Sequence, residues 1–228
     1  MGGRRRINAI RRKILGEWLR ILLGLLVFSL GAHLTIFANI GLAPWDCLGM
    51  GLSYHCPLNY GLSMTLIAII VLIIDLFMKE RRGYGTIIDA LVTGNFIQMF
   101  NSLNPLSMDH STAAGVGIML IGFVFMAIGI AIYMKGGQCC GPRDAMLVGL
   151  GKKMRKLPIG IVQILLWAVV LLGGWLLGGP VGIGTVISAF GAGFVTQIIY
   201  SAIGFEPRDI RHRDVVETTR LLAGHKAK

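Results

Sequence analysis

Hydrophobic residues run along this chain in blocks of bilayer length, not in the short alternations or narrow 3.6-residue stripes of a water-soluble core. Six blocks are expected to form full transmembrane helices, at about 21–40, 61–78, 86–103, 113–134, 159–177 and 181–203. Each comes close to the ~20 residues that cross ~30 Å of hydrocarbon. Two shorter runs, Pro44 to about Cys56 and Pro142 to Lys152, are too brief to cross. Each opens on proline, whose missing N–H is harmless in a first helical turn, and carries aspartate two places later, where it meets the positive end of the helix dipole. Both runs are therefore expected to be half-helices that start inside the membrane.

Polar and glycine positions repeat with the pattern. Gly24 and Gly31 recur as Gly122 and Gly129, Pro44 as Pro142, Asp46 as Asp144 and Gly51 as Gly149, an offset of 98 residues. One residue of slippage later, Gly61 recurs as Gly160, Gly85-Thr86 as Gly184-Thr185, Gly94 as Gly193 and Gln98 as Gln197. A self-similarity of this kind indicates duplication. The expected fold is an all-α polytopic membrane protein with two repeats, each of three transmembrane helices plus one re-entrant half-helix. Three crossings per unit is odd, so the repeats must be inverted relative to each other. The parts are a basic segment at 1–20, a first membrane repeat at 21–103, an external loop at 104–112, a second repeat at 113–204 and a basic tail at 205–228 that is expected to be helical near Val215 to Leu222.

Composition agrees: 54% of the 228 residues are hydrophobic and 14% charged, with a mean hydropathy of +0.71. The net charge of +11 comes from short basic clusters between apolar runs, where they act as topology determinants rather than as a nucleic-acid surface. With six spans and an internal N-terminus, all 22 Lys and Arg fall on the cytoplasmic side; if the short runs crossed, Lys79, Arg81 and Arg82 would lie outside. Both termini are expected in the cytoplasm, with the basic face on anionic lipid. Cys47, Cys56, Cys139 and Cys140 lack metal or redox spacing and read as small packing residues, with Cys139-Cys140 the pair to test for reactivity.

Inverted repeats with interrupted helices place a substrate site near the bilayer midplane in many secondary transporters. An interrupted helix survives in lipid only where protein or a water-filled cavity satisfies its free N–H groups. The expected site is therefore where Trp45 and Asp46 meet Arg143 and Asp144, holding a small polar or anionic solute. Trp45 reads as a packing or stacking surface, and Arg143 as the partner of an anion, as the partner of Asp144, or as a side chain reaching for the cytoplasmic face. Asp46 and Asp144 read either as sites for a coupling ion or proton or as helix-start caps. Asp89, whose counterpart is Ser188, is a third coupling candidate, on one helix face with Thr86 and Thr93. Thr86, Asn95, Gln98 and Gln197 either join helices or line a polar path. His33 reads as a satisfied packing residue, and Asp75 as the partner of Lys79. No catalytic motif, metal-ligand spacing or cofactor fingerprint occurs, so neither an enzyme nor a resident cofactor is expected.

The run Gly41-Leu42-Ala43-Pro44-Trp45-Asp46, then Leu48 to Ser53, Gly83-Tyr84-Gly85-Thr86 and Gly141-Pro142-Arg143-Asp144 resembles the YczE-like bacterial membrane proteins of the YczE/YyaS/YitT group. The resemblance covers most of residues 18–204 and implies a multi-pass protein of the bacterial inner membrane, without implying an activity. Two functions follow as expectations. One is a small-solute transporter or permease. The other is a non-transporting membrane scaffold or regulatory factor for a partner protein, with a homodimer or an unidentified partner as its company.

Overall fold

The computed structural model describes residues 2–78, 83–103, 111–138, 141–157, 159–205 and 213–222, and all regular structure among them is helical. In chain order the helices are α1 (Gly2–Phe37), α2 (Pro44–His55), α3 (Tyr60–Phe77), α4 (Tyr84–Leu103), α5 (Thr112–Met134), α6 (Pro142–Lys153), α7 (Ile159–Leu176), α8 (Ile183–Ala202) and α9 (Val215–Leu222). Among the described residues, four segments are long and apolar enough to cross a membrane: Ile14–Phe37, Tyr60–Phe77, Thr112–Met134 and Ile183–Ala202. Helix α7 contributes the shorter apolar stretch Ile161–Leu176, while α4 has a crossing's length but carries Asp89, Asn95, Gln98 and Asn101.

Local sequence sets the helix starts. Pro44 and Pro142 open α2 and α6 as the first helical residue. Asn59 accepts from the Leu62 N–H at 2.9 Å to cap α3, and Ser111 caps α5 through Ala114. At 12 residues, α2 and α6 are each about 18 Å long, well short of a bilayer. The helix runs through the expected boundary at residue 20: the basic segment 1–20 and the first apolar block form a single helix of 36 residues, because nothing between Gly2 and Phe37 breaks a helix. Buried Ile14, Ile21, Leu25, Ala32 and Ile36 form one stripe along it, and the stretch apolar enough to cross a membrane starts at Ile14.

Helices α1 and α5 cross antiparallel at the centre through the repeated glycines. A Cβ on Gly24 would lie 2.8 Å from the Gly129 carbonyl oxygen, and one on Gly31 only 2.5 Å from that of Gly122. Around this pair the packing is reciprocal: α4 lies on α1 as α8 lies on α5, and α2 packs on α7 as α6 packs on α3. The links before the two short helices are tied the same way. The Gly184 N–H donates to the Ile40 carbonyl at 2.7 Å, and the Gly85 N–H to the Gln138 carbonyl at 3.1 Å. These are repeat counterparts, so each half satisfies the unwound backbone of the other. At Gly184 the backbone comes too close for a side chain, since a Cβ would lie 2.6 Å from the Gly41 carbonyl oxygen, and Thr86 and Thr185 beside the two bonds are buried.

The C-terminal segment folds back. Arg213 pairs with Glu17 of α1, Gln138 donates to Glu17 Oε2 at 2.8 Å and Trp18 to Gln138 Oε1 at 3.3 Å. Helix α9, where the sequence placed a helix, lies on α1 with its Thr219 hydroxyl 2.8 Å from that of Tyr84.

Candidate functional site

A cavity of about 670 Å³ lies among the helices, and the N-terminal ends of both α2 and α6 open into it. Trp45, Asp46, Arg143 and Asp144 all line it. The two proline turns meet across it: the Arg143 guanidinium sits over the Trp45 ring, 5.2 Å from its centroid, with Nη2 3.9 Å from Met64 Sδ. Among the described residues Arg143 forms no ion pair within 4 Å.

Asp46 is buried, and its Oδ1 accepts from the Tyr60 hydroxyl at 3.0 Å. It is not a cap, since Ala43 and Gly141 stand at the cap positions of α2 and α6 and neither helix has a side-chain cap. On α4, Asp89 accepts a hydrogen bond from Thr93, and both line the cavity. A Cβ on Gly141 would sit 3.3 Å from an Oδ2 of both Asp89 and Asp144, so these two carboxylates face one small gap. Arg143 lies close enough to Asp46, Asp89 and Asp144 to act on each through space. Three carboxylates and one guanidinium around one cavity can hold a cation or share protons.

The other polar candidates separate. Ser188, the counterpart of Asp89, and Gln197 line the cavity, Gln197 with an exposed side chain. Thr86, Asn95 and Gln98 do not line it. Thr86 packs in the α4 start. Asn95 donates to the Leu91 carbonyl at 2.7 Å and reaches Thr65 of α3 at 3.4 Å, and Gln98 donates to Ser102 of its own helix at 3.2 Å. Their side chains point away because α4 turns a different face to the centre. His33 is a packing residue, 2.6 Å from Asn101 Oδ1 and beside Phe37 and Phe100. Asp75 is buried in α3, while Lys79 lies outside the described residues, as do Cys139 and Cys140. Cys47 and Cys56 are unpaired thiols. No group of three or more metal-ligating side chains occurs among the described residues.

Sequence reasoning missed Tyr60, Gln163, Trp167, Thr196 and Tyr200, all but Tyr60 on the cavity wall. Spacing within α7 and α8 held the signal for the last four. Gln163 and Trp167 lie four apart, as do Thr196 and Tyr200, polar or aromatic residues on one face of an aliphatic helix.

The family of unknown function DUF6198 matches residues 15–201. The chain belongs to this family. It is 26% identical over 190 residues to the uncharacterised membrane protein YczE of Bacillus subtilis, covering 82% of this chain and 87% of YczE. It is 29% identical to the uncharacterised protein YyaS of the same organism, over 77% of this chain and 88% of YyaS. An uncharacterised protein of Haemophilus influenzae is 30% identical over 82% of this chain and 84% of its own. The expected kinship to YczE and YyaS therefore holds, and the four long apolar helices together with YczE indicate a membrane location. No solved structure matches the chain.

Proposed function

We propose that this DUF6198 protein is a small-solute transporter working by alternating access, with its site in the cavity between the N-terminal ends of α2 and α6. The observation that carries this reading is the cavity itself: about 670 Å³, a volume typical of ligand sites, walled by Asp46, Asp89, Asp144, Arg143 and Trp45. A scaffold has no use for three carboxylates and an arginine around one cavity, which are costly in a membrane and normally mark solute or ion paths.

The reciprocal bonds Gly184 to Ile40 and Gly85 to Gln138, with the antiparallel α1–α5 crossing, support two inverted repeats that rock about a shared axis. In this reading α2 and α6 re-enter from opposite faces, six helices span, and the protein sits in the bacterial inner membrane with both termini cytoplasmic and its basic flanks on anionic lipid. An anionic solute loses favour, because Arg143 lies on Trp45 amid three carboxylates. Asp89 and Asp144 carry the coupling proton or cation. No catalytic step enters.

The test is uptake of a solute library into proteoliposomes with and without a pH gradient. At least one solute should accumulate, and Asp89→Asn or Asp144→Asn should remove its response to the gradient. Uniform failure by correctly inserted protein sinks the transport reading in favour of a factor that serves a partner protein.

A further inference from the structure

The two halves differ in one place that bears on entry to the cavity. In the first half α3 crosses α4 closely at Gly61 and Gly94: a Cβ on Gly94 would lie 2.6 Å from the Gly61 carbonyl oxygen and 2.9 Å from Met64 Cβ. The repeat pairs these helices with α7 and α8, and Gly94 with Gly193. Among the described residues no such crossing occurs there. Helix α7 packs on α2 and α8 on α5, but the two make no extended contact with each other, and nothing lies within 4 Å of a Cβ on Gly193. Gly193 and its neighbour Gln197 line the cavity and are exposed. The wall is thus closed at α3–α4 and open at α7–α8.

What the gap opens onto follows from the outer faces of the two helices that border it. Ile164 of α7 and Phe190 and Phe194 of α8 are all more than 60% exposed, as side chains facing hydrocarbon are in a membrane protein. Inside, the chemistry changes. Trp45, Trp167 and Tyr200 offer aromatic faces, and carboxylates outnumber the guanidinium three to one. Arg143 occupies the cation–π position on Trp45, where an incoming cation of similar character could take its place.

We infer that the cavity is loaded sideways from the bilayer through the α7–α8 gap, and that its substrate is a lipophilic organic cation. This rests on the reading of the cavity as a transport site. A lipophilic cation concentrates in the membrane, passes between apolar rims and meets carboxylates and aromatic rings within. A hydrophilic cation lacks the route. A lipophilic anion has the route and meets the wrong charge.

The test uses the full chain in lipid nanodiscs and measures equilibrium binding of three probes separately: tetraphenylphosphonium, tetramethylammonium, and tetraphenylborate, which has the shape of the first and the opposite charge. Saturable binding is expected for tetraphenylphosphonium alone, weakened at least tenfold in Asp89→Asn and in Asp144→Asn. Gly193→Trp, placed where the structure has room for it, should slow tetraphenylphosphonium association at least tenfold without changing thermal stability. Gly117→Trp, also in open space but away from the gap, should leave association unchanged. Absence of saturable tetraphenylphosphonium binding, equal binding of either other probe, or unaltered association in Gly193→Trp overturns the inference. Uptake of a hydrophilic library solute by protein that binds no tetraphenylphosphonium would discard this inference and leave the transport reading standing. Binding without uptake of anything would do the reverse.

Discussion

Replacing Gly31 by alanine tests the central crossing on which the fold depends. The new Cβ would lie 2.5 Å from the Gly122 carbonyl oxygen and 2.6 Å from the Met126 nitrogen. Both are backbone atoms of α5, so no rotamer change relieves the contact, and α1 must move away by several tenths of an ångström. A gap of that size along a packed seam forfeits a quarter to a half of the dispersion energy across it, and overpacking of this kind costs about 1–3 kcal/mol. The gain from replacing a helical glycine, about 0.5–1 kcal/mol, offsets only part. The net cost of about 0.5–2 kcal/mol should lower the melting temperature of the detergent-solubilised protein by about 1–8 °C, at about 2–4 °C per kcal/mol for a chain of this size. Gly129→Ala, with its Cβ 2.5 Å from the Phe28 nitrogen, should behave alike. Gly117→Ala, with nothing within 4 Å, is the control and should hold or gain stability. Equal melting temperatures for Gly31→Ala and Gly117→Ala would refute the close α1–α5 crossing.

Further outcomes follow from single contacts. Asn101→Ala leaves buried His33 without its 2.6 Å partner and should cost about 1–3 kcal/mol in a denaturation midpoint, whereas Gln98→Ala should cost little. Tyr60→Phe removes the hydroxyl that donates to buried Asp46 and should lower stability by about 1–3 kcal/mol, a loss absent in an Asp46→Ala/Tyr60→Phe pair relative to Asp46→Ala alone if the two act only on each other. Arg143→Lys keeps the charge but loses the planar guanidinium that lies over Trp45, so tetraphenylphosphonium affinity should change in Arg143→Lys and in Trp45→Phe, yet stay the same in Arg155→Lys, whose site is exposed. Arg213→Ala deprives Glu17 of its ion-pair partner, and should make the C-terminal segment cleavable by trypsin at Arg220 at low protease, where the unaltered protein resists.

The helix inventory was legible in sequence because a membrane helix announces itself locally, by length, apolarity and proline or cap residues at its ends. Helix α9 and the starts of α2 and α6 fall where these signals put them. The duplicated Gly24 and Gly31 and the Gly-Thr pairs were visible too, but not their purpose. That Gly24 faces Gly129, or that Gly85 donates to Gln138, depends on antiparallel apposition of segments over 50 residues apart, on which a linear pattern is silent. For the same reason periodicity placed Thr86, Asp89 and Thr93 on one helix face, whereas only the packing of α4 decided that Asp89 and Thr93 reach the cavity and Thr86 does not. In a chain this apolar, hydrophobicity cannot tell a side chain against a neighbour from one against lipid. Leu25 is buried and Leu23 half exposed on the same helix. What the sequence determined by itself, then, was which segments form apolar helices and which polar residues those helices carry, since helix length, apolarity and end signals are local. Which of those residues share one cavity, and that the cavity opens between α7 and α8 and not between α3 and α4, was decided by tertiary packing, because it follows from which helix faces become mutually buried.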